Sequence, residues 1–244
     1  MSKQLFSGAL LLFTLSFIVT SCRWNRSVKG NGNIITGNRN EGNFKSVSAA
    51  GSFDVYFSQG SENEIRIEAD ENLMKYITTR VENGVLKIRT KSGVNIRPSQ
   101  DMRVYVKAPM FEDISLSGSG NMLAETKITS TGRIKLSISG SGDIKMAEVD
   151  APKVEVRIAG SGKVQSGGIT RDVEIHVSGS GDVEMRDLKA ENAEINIAGS
   201  GNVWIYASLK LDVRVAGGGD IHYYGNPTDI KSKMAGSGNL IKEQ

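Results

Sequence analysis

One short pattern recurs down the C-terminal half of this chain: an alternating strand that runs into a glycine corner. Val173-Glu174-Ile175-His176-Val177-Ser178-Gly179-Ser180-Gly181-Asp182-Val183 is one copy. Corners of the same kind open at Gly118, Gly140, Gly160, Gly179, Gly199, Gly217 and Gly236, so successive copies start 22, 20, 19, 20, 18 and 19 residues apart. Such a period is the signature of a solenoid, in which each repeat buries its apolar face only by stacking on the next. Copies this short leave no room for a crossover helix, so equivalent strands are expected to stack in parallel. The predicted fold class is therefore all-β: a parallel β-helix of about 20-residue rungs, about 29 Å long over six rung intervals.

Within a repeat, the positions six, four and two before the corner glycine are aliphatic: Ile134, Leu136 and Ile138; Val154, Val156 and Ile158; Val173, Ile175 and Val177; Leu211, Val213 and Val215. Polar residues stand between them. Alternation of period two with β-branched content marks strands with one face buried. Beyond the corner the alternation resumes, as in Val183 and Met185 or Val203 and Ile205. Each corner carries a second glycine, at Gly120, Gly142, Gly162, Gly181, Gly201, Gly219 and Gly238, which fits a repeated sharp bend between closely packed rungs. Ser119, Ser141, Ser161, Ser180, Ser200 and Ser237 would form an outward ladder. The column after the second glycine reads Asn121, Asp143, Lys163, Asp182, Asn202, Asp220 and Asn239. Asn and Asp suit turns by bonding nearby backbone, and Lys163 would relieve the charge of the aspartates on either side. Calcium along this column is the functional alternative, since Gly217-Gly218-Gly219-Asp220 looks like a fragment of a calcium-binding nonapeptide. That repeat has a period of nine, about half the one here, so the turn reading is favoured and no metal is expected.

Upstream of the repeats, residues 1–21 read as a leader: Lys3 gives the positive start, and Leu10 to Val19 an apolar stretch too short to span a bilayer. Val19-Thr20-Ser21-Cys22 resembles the lipobox of bacterial lipoproteins, which makes Cys22 the expected lipidated first residue of the mature chain and a membrane its first partner. Cys22 is the only cysteine, so no disulfide framework exists. The formal charge of +3 falls to +2 when Lys3 leaves with the leader, and the charges are mixed in sign, which is no nucleic-acid footprint. Residues 22–43 read as a Gly- and Asn-rich tether running into the first strands. Residues 44–111 form an irregular β part with an early corner at Gly51, a strand at Glu64–Glu68, a helix signal over Asp70–Ile77 with Asp70 as cap, and a hairpin turning at Asn83-Gly84. Residues 112–244 are the regular β-helix part.

Several of these features together carry a resemblance. Gly30-Asn31-Gly32-Asn33, Phe44, the Gly51-Ser52-Phe53-Asp54-Val55 corner, Asn72-Leu73 and Asn83-Gly84-Val85-Leu86-Lys87-Ile88, followed by serial Gly-Ser-Gly-Asn/Asp corners, resemble the putative auto-transporter adhesin head GIN domain family over roughly residues 28–241. The resemblance implies a two-part parallel β-helix, usually a lipoprotein of Bacteroidetes and related bacteria, with an adhesion-like role and no catalytic residues to carry over. Surface-exported lipoproteins of these bacteria tend to have acidic residues after the cysteine. Arg23-Trp24-Asn25-Arg26 stands here instead, which favours a lipid-anchored outer-membrane protein facing the periplasm over the alternative of a surface-exposed one.

Residues with chemical potential are few. His176 and His222 fall at outward positions in different parts of the rung, which suggests neither a metal pair nor a triad, and no cofactor is expected. Glu155, Glu174, Glu194 and Asp212 form a carboxylate column with neighbours about 5 Å apart, a glycosidase-like separation that any in-register ladder also produces. Beside it run Arg157, His176, Asn196 and Arg214, as charge compensation would require. Trp204 and Tyr206, then His222 and Tyr224 one rung later, point outward and should form one aromatic face suited to a glycan or an apolar surface of an envelope protein. The expected function is a membrane-anchored, non-enzymatic surface for adhesion, scaffolding or envelope binding. The alternative is a polysaccharide hydrolase or lyase on the same scaffold.

Overall fold

In the computed structural model, which describes residues 26–244, one hydrogen-bonded sheet takes in every strand except a separate parallel pair, Arg26–Lys29 with Val94–Arg97. The repeat is a β-solenoid, as its period demands. Gly51, Gly118, Gly140, Gly160, Gly179, Gly199, Gly217 and Gly236 stand in register, each stacked on the last through parallel ladders. The central rungs run as long bent strands, such as Asp143–Gly160 and Asp182–Gly199, with slips of register at a second bend. The inward aliphatic columns are fully buried and merge into one core from Phe44 to Ile221. Each buried Val or Ile contributes roughly 1.5–3 kcal/mol, but only because its neighbour above and below is present.

The corner has a steric cause. At each of these glycines φ lies between 119° and 142°, closed to other residues. A Cβ added at Gly199 would overlap the carbonyl oxygen of Gly179. That oxygen is already occupied as an acceptor: the amide of Ser200 donates to it at 2.9 Å, as Ser161 does to Gly140 and Ser180 to Gly160. The second glycine of the central corners packs under an inward aliphatic of an earlier rung, Gly162 beneath Ile138 and Gly181 beneath Ile158.

The Gly51 corner belongs to the regular stack, because Ser46–Gly51 pairs directly with Asp113–Gly118 and Phe53–Gln59 with Asn121–Ala124. Residues 60–112 are thus an insertion that covers this end of the coil. Ile77–Glu82 and Val85–Thr90 make the expected hairpin, with Asn83 at φ 53° and Gly84 at φ 74° filling its turn. Glu64–Asp70 pairs antiparallel with Met102–Ala108 on one side and Ile34–Arg39 on the other. Two local expectations give way here. Within the region read as a tether, residues 26–29 and 34–39 are strands. Of the expected helix over Asp70–Ile77 only a 3-10 turn, Met74–Tyr76, forms, and Asp70 does not cap it.

The reason is a buried latch. The Asp70 carboxylate is fully buried and accepts the Gly32 amide at 2.7 Å, the Ser99 amide at 2.9 Å and the Ser99 hydroxyl at 2.6 Å. Gly30 must be glycine because a Cβ there would strike this carboxylate. Burial alone would push the Asp70 carboxyl up, yet the bonds from Ser99 and Gly32 outweigh it and hold it below the ordinary value. The Gly-Asn segment is therefore tied down rather than free.

At the opposite end the last rung, Asp229–Gly236 with Leu240–Lys242, leaves its inward side open, and Ile230 is 44% exposed. Lys231 and Lys233 stand on this edge strand, where charge discourages pairing with another chain.

Candidate functional site

Two flanks of the solenoid, one on each side of the corner, carry these outward columns. On the first, the Asn/Asp column beyond the corner is consumed by the fold. Asp182 Oδ1 accepts the Asn202 amide at 2.8 Å, Asn202 Oδ1 the Asp220 amide at 3.0 Å, and Asp220 Oδ1 the Asn239 amide at 2.8 Å. Each side chain thus satisfies the same position one rung later, and among the described residues no cluster of three or more His, Cys, Asp or Glu residues is placed to hold a metal. Lys163 fits differently from the expectation: its amide donates to Asp143 at 2.9 Å, but its ammonium pairs with Glu184 at 2.7 Å rather than with its column neighbours.

The second flank holds the carboxylate column, and its charges are matched. Glu155 is buried between Arg133 (3.1 Å) and Arg157 (2.5 Å). Burial pushes its carboxyl up, and the Arg157 hydrogen bond and the surrounding cations override that, leaving it below the usual range. Glu174 receives His176 Nε2 and Lys153 Nζ, both at 2.6 Å, and these partners, His176 foremost, pull it down to about 2. Arg214 joins Glu194 (2.9 Å) to Asp212 (3.0 Å). A glycosidase acid needs a carboxyl raised toward neutrality. Glu155 and Glu174 are shifted the other way.

Along the first flank, beside the Asn/Asp column, runs the aromatic column, with Tyr56 two residues from Asp54 and Trp204 two from Asn202. Register places Tyr105, Tyr56, Leu123, Lys145, Gln165, Glu184, Trp204, His222 and Ile241 on successive rungs. Trp204 and His222 stack at 5.1 Å with planes 9° apart, and Tyr56 and Tyr105 at 5.2 Å. Tyr206 is the register partner of Tyr224, and Lys189 Nζ sits 4.1 Å over its ring. His222 Nδ1 also meets Glu243 at 2.7 Å. All four expected residues, Trp204, Tyr206, His222 and Tyr224, come together and are half-buried. Their faces, however, are partly spent on one another and on Lys189, so edges and polar tips remain for a ligand. Tyr56 and Tyr105 escaped the sequence reading because the insertion hides their register.

Between the corner and the basic column lies a feature that the sequence reading missed. The position just before each corner glycine is always small, as in Ser139, Ala159, Ser178, Ala198, Ala216 and Ala235, and these side chains are exposed. Next to them stand Arg157, His176, Asn196, Arg214 and Lys233. Small beside large, repeated rung after rung, makes a groove of about 660 Å³ along the solenoid. No Asp or Glu lines it. The signal was present in the repeat as an unbroken Ala/Ser column.

The leader over residues 1–21, Cys22, Arg23 and Trp24 lie outside the described residues. No helix among the described residues is long and apolar enough to cross a membrane.

Comparison with known proteins agrees with this architecture. A crystal structure of a putative adhesin from Bacteroides fragilis NCTC 9343 superposes with TM-score 0.83 at 23% identity, over 88% of this chain and all of that one. A putative lipid binding protein from Parabacteroides distasonis ATCC 8503 gives 0.75 at 27% identity over 90% and 100%, and a putative adhesin from Parabacteroides merdae ATCC 43184 gives 0.69 at 20% over 90% and 100%. No functionally curated protein matches. With its profile matched over residues 43–227, more than half its length, the chain belongs to the family described as putative auto-transporter adhesin, head GIN domain.

Proposed function

We propose that this protein is a non-enzymatic, lipid-anchored solenoid of the cell envelope that presents its flanks for adhesion-like binding. The observation that carries the reading is the state of the carboxylate column. Glu155 and Glu174 are ion-paired and depressed, so the column supplies counter-charges where an enzyme would need a free acid beside a free base. The family and the structural neighbours described as adhesins support the same role. Acylation at Cys22 would hold the solenoid at a membrane, outer membrane and periplasm-facing by the Arg23-Trp24-Asn25-Arg26 sequence. The half-buried strip of Trp204, Tyr206, His222 and Tyr224 is the proposed contact for an envelope glycan or protein, met through ring edges and polar tips. The test is a glycan array probed with the full chain carrying Cys22→Ser, with product analysis of each bound glycan. Binding without cleavage, lost in Trp204→Ala, supports the reading; cleavage abolished by Glu174→Gln would replace it with the hydrolase.

A second reading concerns an apolar ligand. It is favoured by the groove, whose floor is small and apolar, and is in keeping with the description of the Parabacteroides distasonis neighbour as a putative lipid binding protein.

A further inference from the structure

We infer that the groove beside the corner column binds a single-chain anionic amphiphile, its tail laid along Ala216, Ala198 and Ala159 and its head held at Lys233. The inference rests on the reading of an apolar ligand and adds the site, the ligand class and the direction.

The charges of the wall decide between ligand classes. Arg157 and Arg214 line the groove, but their counter-ions Glu155, Glu194 and Asp212 lie in the next column and hold them. A polyanion running the length of the groove would find these cations already neutralised. Lys233 differs: among the described residues its ammonium has no hydrogen-bond or ion-pair partner, and it stands exposed on the last rung, at the end of the groove. One available cation at one end of an apolar trough matches one anionic head with one tail. Of the remaining polar groups, Ser178 on the floor and Asn196 on the wall are neutral and cost a passing chain little, and His176 on the wall is bonded to Glu174.

Length agrees with this assignment. From Ala235 to Ser139 the groove crosses five rung intervals, about 24 Å at about 4.8 Å each. Two acyl chains end to end span the hydrocarbon core of a bilayer, about 30 Å, so a single tail needs about 15 Å. A long-chain tail therefore fits between Lys233 and the mid-solenoid with space to spare. The floor is also regular: with Ala or Ser at every rung, no side chain blocks the path.

The test uses the full chain carrying Cys22→Ser, titrated with dansyl-undecanoic acid and with its uncharged methyl ester. Saturable binding of the acid is expected. The pair Ala198→Leu and Ala216→Leu, both at exposed positions that leave the core untouched, should fill the trough and weaken binding about tenfold. Lys233→Glu should weaken the acid about fivefold and leave the ester unchanged. Circular dichroism and melting of each variant confirm that the solenoid is intact. If neither probe binds saturably, the apolar-ligand reading falls along with the site. If binding is saturable but indifferent to the two leucines, only this placement is overturned. If Lys233→Glu weakens the acid and the ester equally or not at all, the head-group assignment is wrong.

Discussion

The amide of Ser200 donates to the carbonyl oxygen of Gly179 across one rung at 2.9 Å, and that same oxygen stands where a methyl on Gly199 would have to go. The bond and the exclusion are one arrangement. Bringing the corner backbones close enough to bond leaves room for hydrogen alone.

The corner should therefore divide its glycines sharply. Gly199→Ala combines a backbone at φ 139° with overlap on fixed main chain, and we expect a loss of about 3 kcal/mol or more in urea unfolding. Gly218 stands where the other corners carry serine, and a Cβ there meets only the Ser237 and Ser200 hydroxyls, at 3.3 and 3.7 Å. Gly218→Ser should be neutral or stabilising by up to about 1 kcal/mol, since the unfolded chain loses freedom. Equal costs at the two positions would refute the steric account.

Asp70→Asn tests the latch. The amide nitrogen it introduces has hydrogens that would face donors from Gly32 or Ser99, so the variant should lose about 2–4 kcal/mol. Hydrogen exchange should quicken first in residues 26–39. Exchange that speeds up evenly through the whole solenoid would mean that Asp70 does not tie down this segment in particular.

Acid should weaken the ladder in a defined window. The Glu174 carboxyl lies at about 2 against an ordinary 4.5, so its contribution is complete above 4.5 and disappears as pH falls toward 2. With a quarter of the side chain exposed, about 1–2 kcal/mol is at stake. Glu174→Gln should thus be less stable than the parent at pH 7, and the gap should close by pH 2. A gap independent of pH would show that charge is not the cause.

For Cys22, labelled palmitate and cell fractionation give the readout. The parent chain should incorporate label and sediment with membranes, whereas Cys22→Ala should do neither. Labelling that persists in Cys22→Ala would place the anchor elsewhere.

How much of this was legible beforehand follows from the range of the interactions. The period, the inward triplets such as Val173, Ile175 and Val177, and the corner glycines are local properties repeated along the chain, and the strands lie where that pattern puts them. Where the outcome depended on a distant partner, the local reading failed. Asp70 looks like a helix cap from its neighbours, but Gly32 and Ser99 recruit it into the interior. Gly30 to Asn33 looks like spacer until the carboxylate it wraps is known.

The candidate site divides along the same line. Trp204 and His222 could be paired on paper because each stands five residues after a corner glycine, Gly199 and Gly217. Tyr56 and Tyr105 could not, since residues 60–112 intervene before the coil resumes at Asp113. The groove is the clearest case: the Ala/Ser column and Lys233 are plain in the sequence. Only stacking turns them into a trough whose end cation, Lys233, has no partner among the described residues. By itself, then, the sequence determined a one-sided strand of fixed period with corners only glycine can make, because backbone conformation and alternation are set residue by residue. The tertiary structure alone decided which carboxylates are neutralised, which rings spend their faces on each other and where a groove is left open, because each depends on what the next rung places about 5 Å away.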